Sequence, residues 1–151
     1  MRFVLLVLVL ALPGTARSVA AQISVVPIRD LAFGPVIVGV PSYIPPSHPT
    51  RSGQFQFTVP AQSRVRLRFT LPSRLDGPAG ATLPIGFNNG DAIAIGTAPN
   101  SVPEAGNPQA SWVFTVTSPT TNVWLGGTVT PAGNQPHGSY TGTITFTVTV
   151  F

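Results

Sequence analysis

Apolar and polar positions alternate along most of this chain with a period of two, the spacing at which side chains share one face of a β-strand. Between residues 54 and 59, Phe55, Phe57 and Val59 hold one parity and Gln54, Gln56 and Thr58 the other. Between residues 64 and 71, Val65, Leu67, Phe69 and Leu71 oppose Arg64, Arg66, Arg68 and Thr70. Residues 60–63, Pro-Ala-Gln-Ser, form a turn, so the two runs are expected to pair as a hairpin. The longest alternation covers residues 138–151, GSYTGTITFTVTVF. Tyr140, Ile144, Phe146, Val148 and Val150 fall on even positions, with Thr141, Thr143, Thr145, Thr147 and Thr149 between them. At about 3.3 Å per residue this run predicts a strand of roughly 40 Å. Ile144, Phe146 and Val148 should then be buried between sheets, with a threonine ladder on the other face. A strand this long and amphipathic must pair with something, earlier in the fold or on another chain.

Other segments read less cleanly. Residues 22–29, QISVVPIR, are extended but interrupted by Pro27, which has no N–H for a ladder. In residues 30–40, DLAFGPVIVGV, Leu31 and Phe33 share one parity and Val36, Val38 and Val40 the other. The switch at Gly34-Pro35 predicts a bulge that lets one strand pass between sheets. Residues 41–53 contain four prolines and read as a surface loop. Turn clusters at 76–80 and 88–91 bracket short strands at 82–87 and 92–95. Residues 97–108 read as another loop. A strand at 111–117 places Trp112, Phe114 and Val116 on one face, and a further strand at 122–130 is weakened by Gly126-Gly127. Seven or more short antiparallel strands with regular turn signals indicate an all-β, two-sheet sandwich.

Composition supports that class and narrows the chemistry. The 151 residues suit one domain, placed at residues 22–151. Cysteine is absent, so there is neither a disulfide framework nor thiol chemistry. Only 8% of residues are charged, and all eight bases are arginine. So sparse a charge is easier to reconcile with a surface that becomes covered in an assembly. Residues 1–21 have the layout of a secretory signal: Arg2, an apolar run at 3–12 too short to span a bilayer, and small residues offering cleavage after Ala20 or Ala21. Neither a lipid anchor nor a transmembrane anchor is expected, so the domain should be exported to the periplasm, cell surface or medium. Without Arg2 and Arg17, six arginines face four acids, a net charge of +2. That is too little for nucleic acid, and no basic run is interleaved with aromatics.

Two stretches carry a resemblance. DLAFGPVIVG and GGTVTPAGNQPHGSYTGTITFTVTVF resemble the opening and closing motifs of a pilin-like bacterial family of unknown function, and FQFTVPAQSRVRLRFTLP is similar to its central hairpin. The group is similar in layout to the spore coat protein U domain and to chaperone–usher fimbrial subunits. The resemblance implies an immunoglobulin-like sandwich that lacks one strand. It also implies association by β-strand addition, first with a periplasmic chaperone and then with like subunits. Pro27 makes the segment before Leu31 a poor donor strand.

The residues for catalysis or metal binding are sparse. His48 and His137 sit in proline-rich loops without neighbouring acids, and Asp30, Asp76, Asp91 and Glu104 are scattered among turns. Neither a metal set, a paired-carboxylate site nor a nucleophile elbow can be assembled from them, and no cofactor is expected. Asn88-Asn89-Gly90-Asp91 reads as a turn, without the spaced acids of a calcium loop. Trp112 reads as core, with a sugar-stacking platform shared with Trp124 as the alternative. Tyr140 reads as an anchor whose hydroxyl bonds a turn. Arg64, Arg66 and Arg68 project from one face. They are either a contact strip for an acidic glycan or partner subunit, or a solvated face that discourages edge-to-edge aggregation. Two functions follow: an exported, non-enzymatic pilin-like subunit, or a monomeric secreted carbohydrate-binding or adhesive module.

Overall fold

The computed structural model describes residues 23–151. The expected secretory signal at 1–21 lies outside the described residues. In chain order the strands are β1 Ser24–Arg29, β2 Ser42–Ile44, β3 Gly53–Thr58, β4 Arg64–Thr70, β5 Arg74–Asp76, β6 Thr82–Gly86, β7 Ala92–Gly96, β8 Glu104–Gly106, β9 Trp112–Thr115, β10 Thr120–Leu125, β11 Gly127–Val129 and β12 Thr145–Val150. The fold is all-β, and every ladder between these strands is antiparallel. Three sheets form, ordered β1-β3-β10-β7-β8, β2-β11-β6-β5 and β12-β4-β9.

Alternation explains the layering, which is sandwich-like. On β4 each arginine is exposed while Val65, Leu67 and Phe69 are buried. These apolar residues meet the inner face of β3 across the layers. The Phe55 and Phe69 rings lie edge to face at 5.8 Å between centroids, and Phe146 of β12 lies 5.1 Å from Phe55 and 4.8 Å from Phe69. Phe57, Val123 and Leu125, from adjacent strands of the five-stranded sheet, are wholly buried against this cluster.

The expected hairpin of residues 54–59 with 64–71 does not form. β3 pairs with β1 and β10, while β4 pairs with β12 and β9. Residues 60–63 turn a corner between layers. Gln62 takes a left-handed φ of 64°, and its N–H donates to Val116 O at 2.9 Å. Both strands have one apolar face, and stacking those faces buries more apolar area than pairing the strands side by side.

Four further expectations are revised. Residues 30–40 form no strand: Gly34 takes φ 69°, a turn of the chain open to glycine, and Pro35 has no N–H to pair. This segment does carry the chain from the five-stranded sheet to the four-stranded one. The loops at 41–53 and 97–108 each contain a short strand, β2 and β8. The strand expected at 122–130 breaks at Gly126 into β10 and β11, which belong to different sheets. The two-sheet expectation becomes three sheets for that reason. In the tail, only Thr145–Val150 is strand. Thr141 spends its backbone donor and acceptor on Asp76, at 2.9 and 2.8 Å, so residues 138–144 cross from the four-stranded sheet before β12 begins.

Candidate functional site

β12 is the last strand of its sheet and pairs only with β4 among the described residues. Which backbone groups that leaves open follows from the ladder. The N–H of Phe151 donates to Arg64 O at 3.1 Å, so Phe151 and Arg64 are a hydrogen-bonded pair. Such pairs alternate with non-bonded ones in an antiparallel ladder. Thr149, Thr147 and Thr145 therefore bond to Arg66, Arg68 and Thr70, while the N–H and C=O groups of Phe146, Val148 and Val150 point away from β4. The same three residues turn their side chains toward the core.

These side chains are incompletely covered. Ile144, Phe146, Val148 and Val150 are all half-buried, whereas their cross-strand partners Val65, Leu67 and Phe69 are buried. Full burial of Ile144, Phe146 and Val148 is therefore corrected: no strand pairs with the far side of β12 among the described residues. β9 lies over β7 and β10, since Phe114 and Val116 line a cleft with Ala94 and Thr121. The free edge of β12 thus lies toward β1, itself the end strand of the opposing sheet. There Val25, Val26 and Ile28 are 38%, 45% and 50% exposed, an unusual apolar display for a sheet edge. A cavity of about 570 Å³ opens at the Ile144 end, lined among others by Leu31, Phe33, Phe55, Leu75, Tyr140 and Ile144.

Tyr140 fixes the approach to β12. Its hydroxyl donates to Pro136 O at 2.7 Å and accepts from Gln135 Nε2 at 2.7 Å, and the same amide reaches Thr82 O at 3.1 Å. The ring lies so close over Gly77 that any Cβ there would overlap it. Tyr140 precedes the strand by five residues, so of Tyr140, Ile144, Phe146, Val148 and Val150, expected to share one pairing strand, only Phe146, Val148 and Val150 are in it.

Arg64, Arg66 and Arg68 are exposed on the outer face of the same sheet, flanked by the exposed threonines of β12. Phe151 lies beneath two of them, its centroid 5.3 Å from the Arg64 guanidinium carbon and 5.1 Å from that of Arg66. Trp112 faces inward beside Phe114 at 5.4 Å, while Trp124 is on β10, in the other layer, so the two do not form a shared platform.

The remaining polar residues hold loops. His48 Nδ1 accepts from the backbone N–H groups of Thr50 and Arg51, and His137 is exposed. Arg29 donates to Ser52 O at 2.8 Å and to Pro49 O at 2.6 Å. Asp91 is a buried side chain that the alternation did not flag. It accepts from Asn88 N–H at 2.6 Å and from the Tyr43 hydroxyl at 3.0 Å. Partial burial, with the Asp91 hydrogen bond and charge, raises the pKa of the Tyr43 phenol. Only the Asn-Asn-Gly-Asp turn at residues 88–91 hinted at this site, and nothing local marks Tyr43 as its partner.

Among the described residues, no group of three or more His, Cys, Asp or Glu could hold a metal ion, and no helix is long and apolar enough to cross a membrane. Compared with known proteins, the chain matches no family model, no curated protein and no solved structure.

Proposed function

We propose that this chain is an exported structural subunit of pilin-like, immunoglobulin-like design, which associates by accepting a β-strand along the outer edge of β12. The observation that carries this reading is the coincidence on β12 of two unmet demands. Phe146, Val148 and Val150 present unpaired backbone groups in the sheet plane, and their apolar side chains are only half covered. A strand added there satisfies both at once: its backbone continues the ladder, and its alternate side chains fill the space over Phe55 and Phe146. A like subunit or an export chaperone is the proposed donor. Val25 of β1, which shares the inner face with Phe57 and is 38% exposed, gains cover from the same strand.

Size-exclusion chromatography and negative-stain microscopy of the native exported protein test the proposal. Ladders, filaments or a stable complex with a second chain are expected. A single monomeric species at every concentration, in native exported material, overturns it.

A further inference from the structure

The arginine row has a setting that its alternation alone did not show. Charged residues protect a sheet when they sit on an edge strand. β4 is the middle strand, hydrogen-bonded on both sides, so Arg64, Arg66 and Arg68 guard no edge. Nor are they engaged within the chain as other arginines are. Arg29 and Arg51 donate to backbone carbonyls and hold loops. The cross-strand neighbours of the row are Thr147 opposite Arg68, Thr149 and Val113 opposite Arg66, and Thr115 opposite Arg64, none of them acidic. The acids lie elsewhere: Asp30 follows β1, Asp76 ends β5, Asp91 is buried and Glu104 begins β8. Three of the six arginines in the described residues therefore share one face without a counter-charge among its cross-strand neighbours.

We propose that the outer face of the β12-β4-β9 sheet binds a linear acidic polysaccharide whose carboxylates meet Arg64, Arg66 and Arg68 in turn. This surface is distinct from the edge of β12 and goes beyond the assembly reading. The Cα positions of successive arginines stand about 7 Å apart along β4, since side chains on one face repeat every two residues. Each guanidinium presents a planar fork that matches a carboxylate. Threonine hydroxyls run along one flank and continue at Thr115 on the other, donors and acceptors suited to sugar hydroxyls. The ring of Phe151 lies under Arg64 and Arg66 and holds the forks over the sheet. Phe151 is the one exposed aromatic on this face, so successive bases would find no row of rings to stack on, which argues against single-stranded nucleic acid. Only Val113 and Phe151 among the large apolar residues are exposed here, too few to enter a membrane.

The test is titration of the exported protein with alginate, a polyuronate, using neutral dextran, duplex DNA and phosphatidylglycerol vesicles as comparisons. Alginate should bind and dextran should not. A polyanion that releases counterions at three cations loses roughly tenfold in affinity for a threefold rise in salt. Arg66→Gln should weaken binding severalfold and the triple change of Arg64, Arg66 and Arg68 to Gln should abolish it, with Tm unchanged because all three are exposed. Arg74→Gln, an equal change in net charge on β5, should leave binding intact. Thr149→Glu keeps every arginine but places a carboxylate opposite Arg66, and should also weaken binding. Equal losses from Arg66→Gln and Arg74→Gln, undiminished binding by the triple variant, or equally tight binding of DNA or vesicles would each overturn the assignment.

Discussion

Phe146 touches Phe55, Phe57 and Phe69, yet remains half-buried. Its truncation should therefore cost less than that of Phe57, which is wholly buried. Phe57→Ala is expected to lose about 3–5 kcal/mol, as for other buried aromatics, and Phe146→Ala about 2 kcal/mol in the isolated monomer. Urea unfolding of both variants checks the order, and equal costs would mean that Phe146 is as covered as the rest of the core. Tyr43 provides a pH-dependent case. Its phenol pKa is raised above the ordinary 10.0 in the folded chain, chiefly by partial burial and then by Asp91. The unfolded state thus loses this proton first, and the associated stability is present below pH 10 and lost as pH rises toward the raised folded value. Tm measured across the alkaline range should fall more steeply in the native chain than in Tyr43→Phe. The two curves running parallel above pH 10 would remove Tyr43 as the cause.

At the scale of elements, the outward N–H of Val148 makes a selective change available. Proline is tolerated on an edge strand where its missing N–H faces away from the ladder. Val148→Pro should leave the β12–β4 hydrogen bonds in place and keep a folded monomer by circular dichroism, while blocking strand addition. Thr147→Pro removes a bond to Arg68 and should destabilise the monomer itself. Swapped outcomes would mean that the ladder has the opposite phase. This phase was not legible in the sequence. Alternation tells which side chains share a face, and it placed β4 and β9 well because each has an unbroken apolar parity, while the flanking turn clusters placed β6 and β7. It does not name the partner strand, which is why β3 and β4 look like a hairpin but lie in opposing layers. It also overextends wherever threonines continue a pattern without a ladder, as at residues 138–144, and where apolar residues surround Gly34. Of the candidate site, the sequence showed the apolar and threonine faces of β12 and the arginine row. That β12 is an edge and β4 a centre depends on long-range pairing, and so does the burial of Asp91 under Tyr43.

At the scale of the molecule, β12 and β1 end their sheets at one opening between the layers. Association at that opening is the central claim, and amide hydrogen exchange tests it most directly. In the monomer, the N–H groups of Phe146, Val148 and Val150 should exchange rapidly, while those of Thr145, Thr147 and Thr149 are protected by β4. In assembled or chaperone-bound protein, all six should be protected. If assembly occurs and Phe146, Val148 and Val150 still exchange as in the monomer, no strand has been added to β12 and the account is wrong.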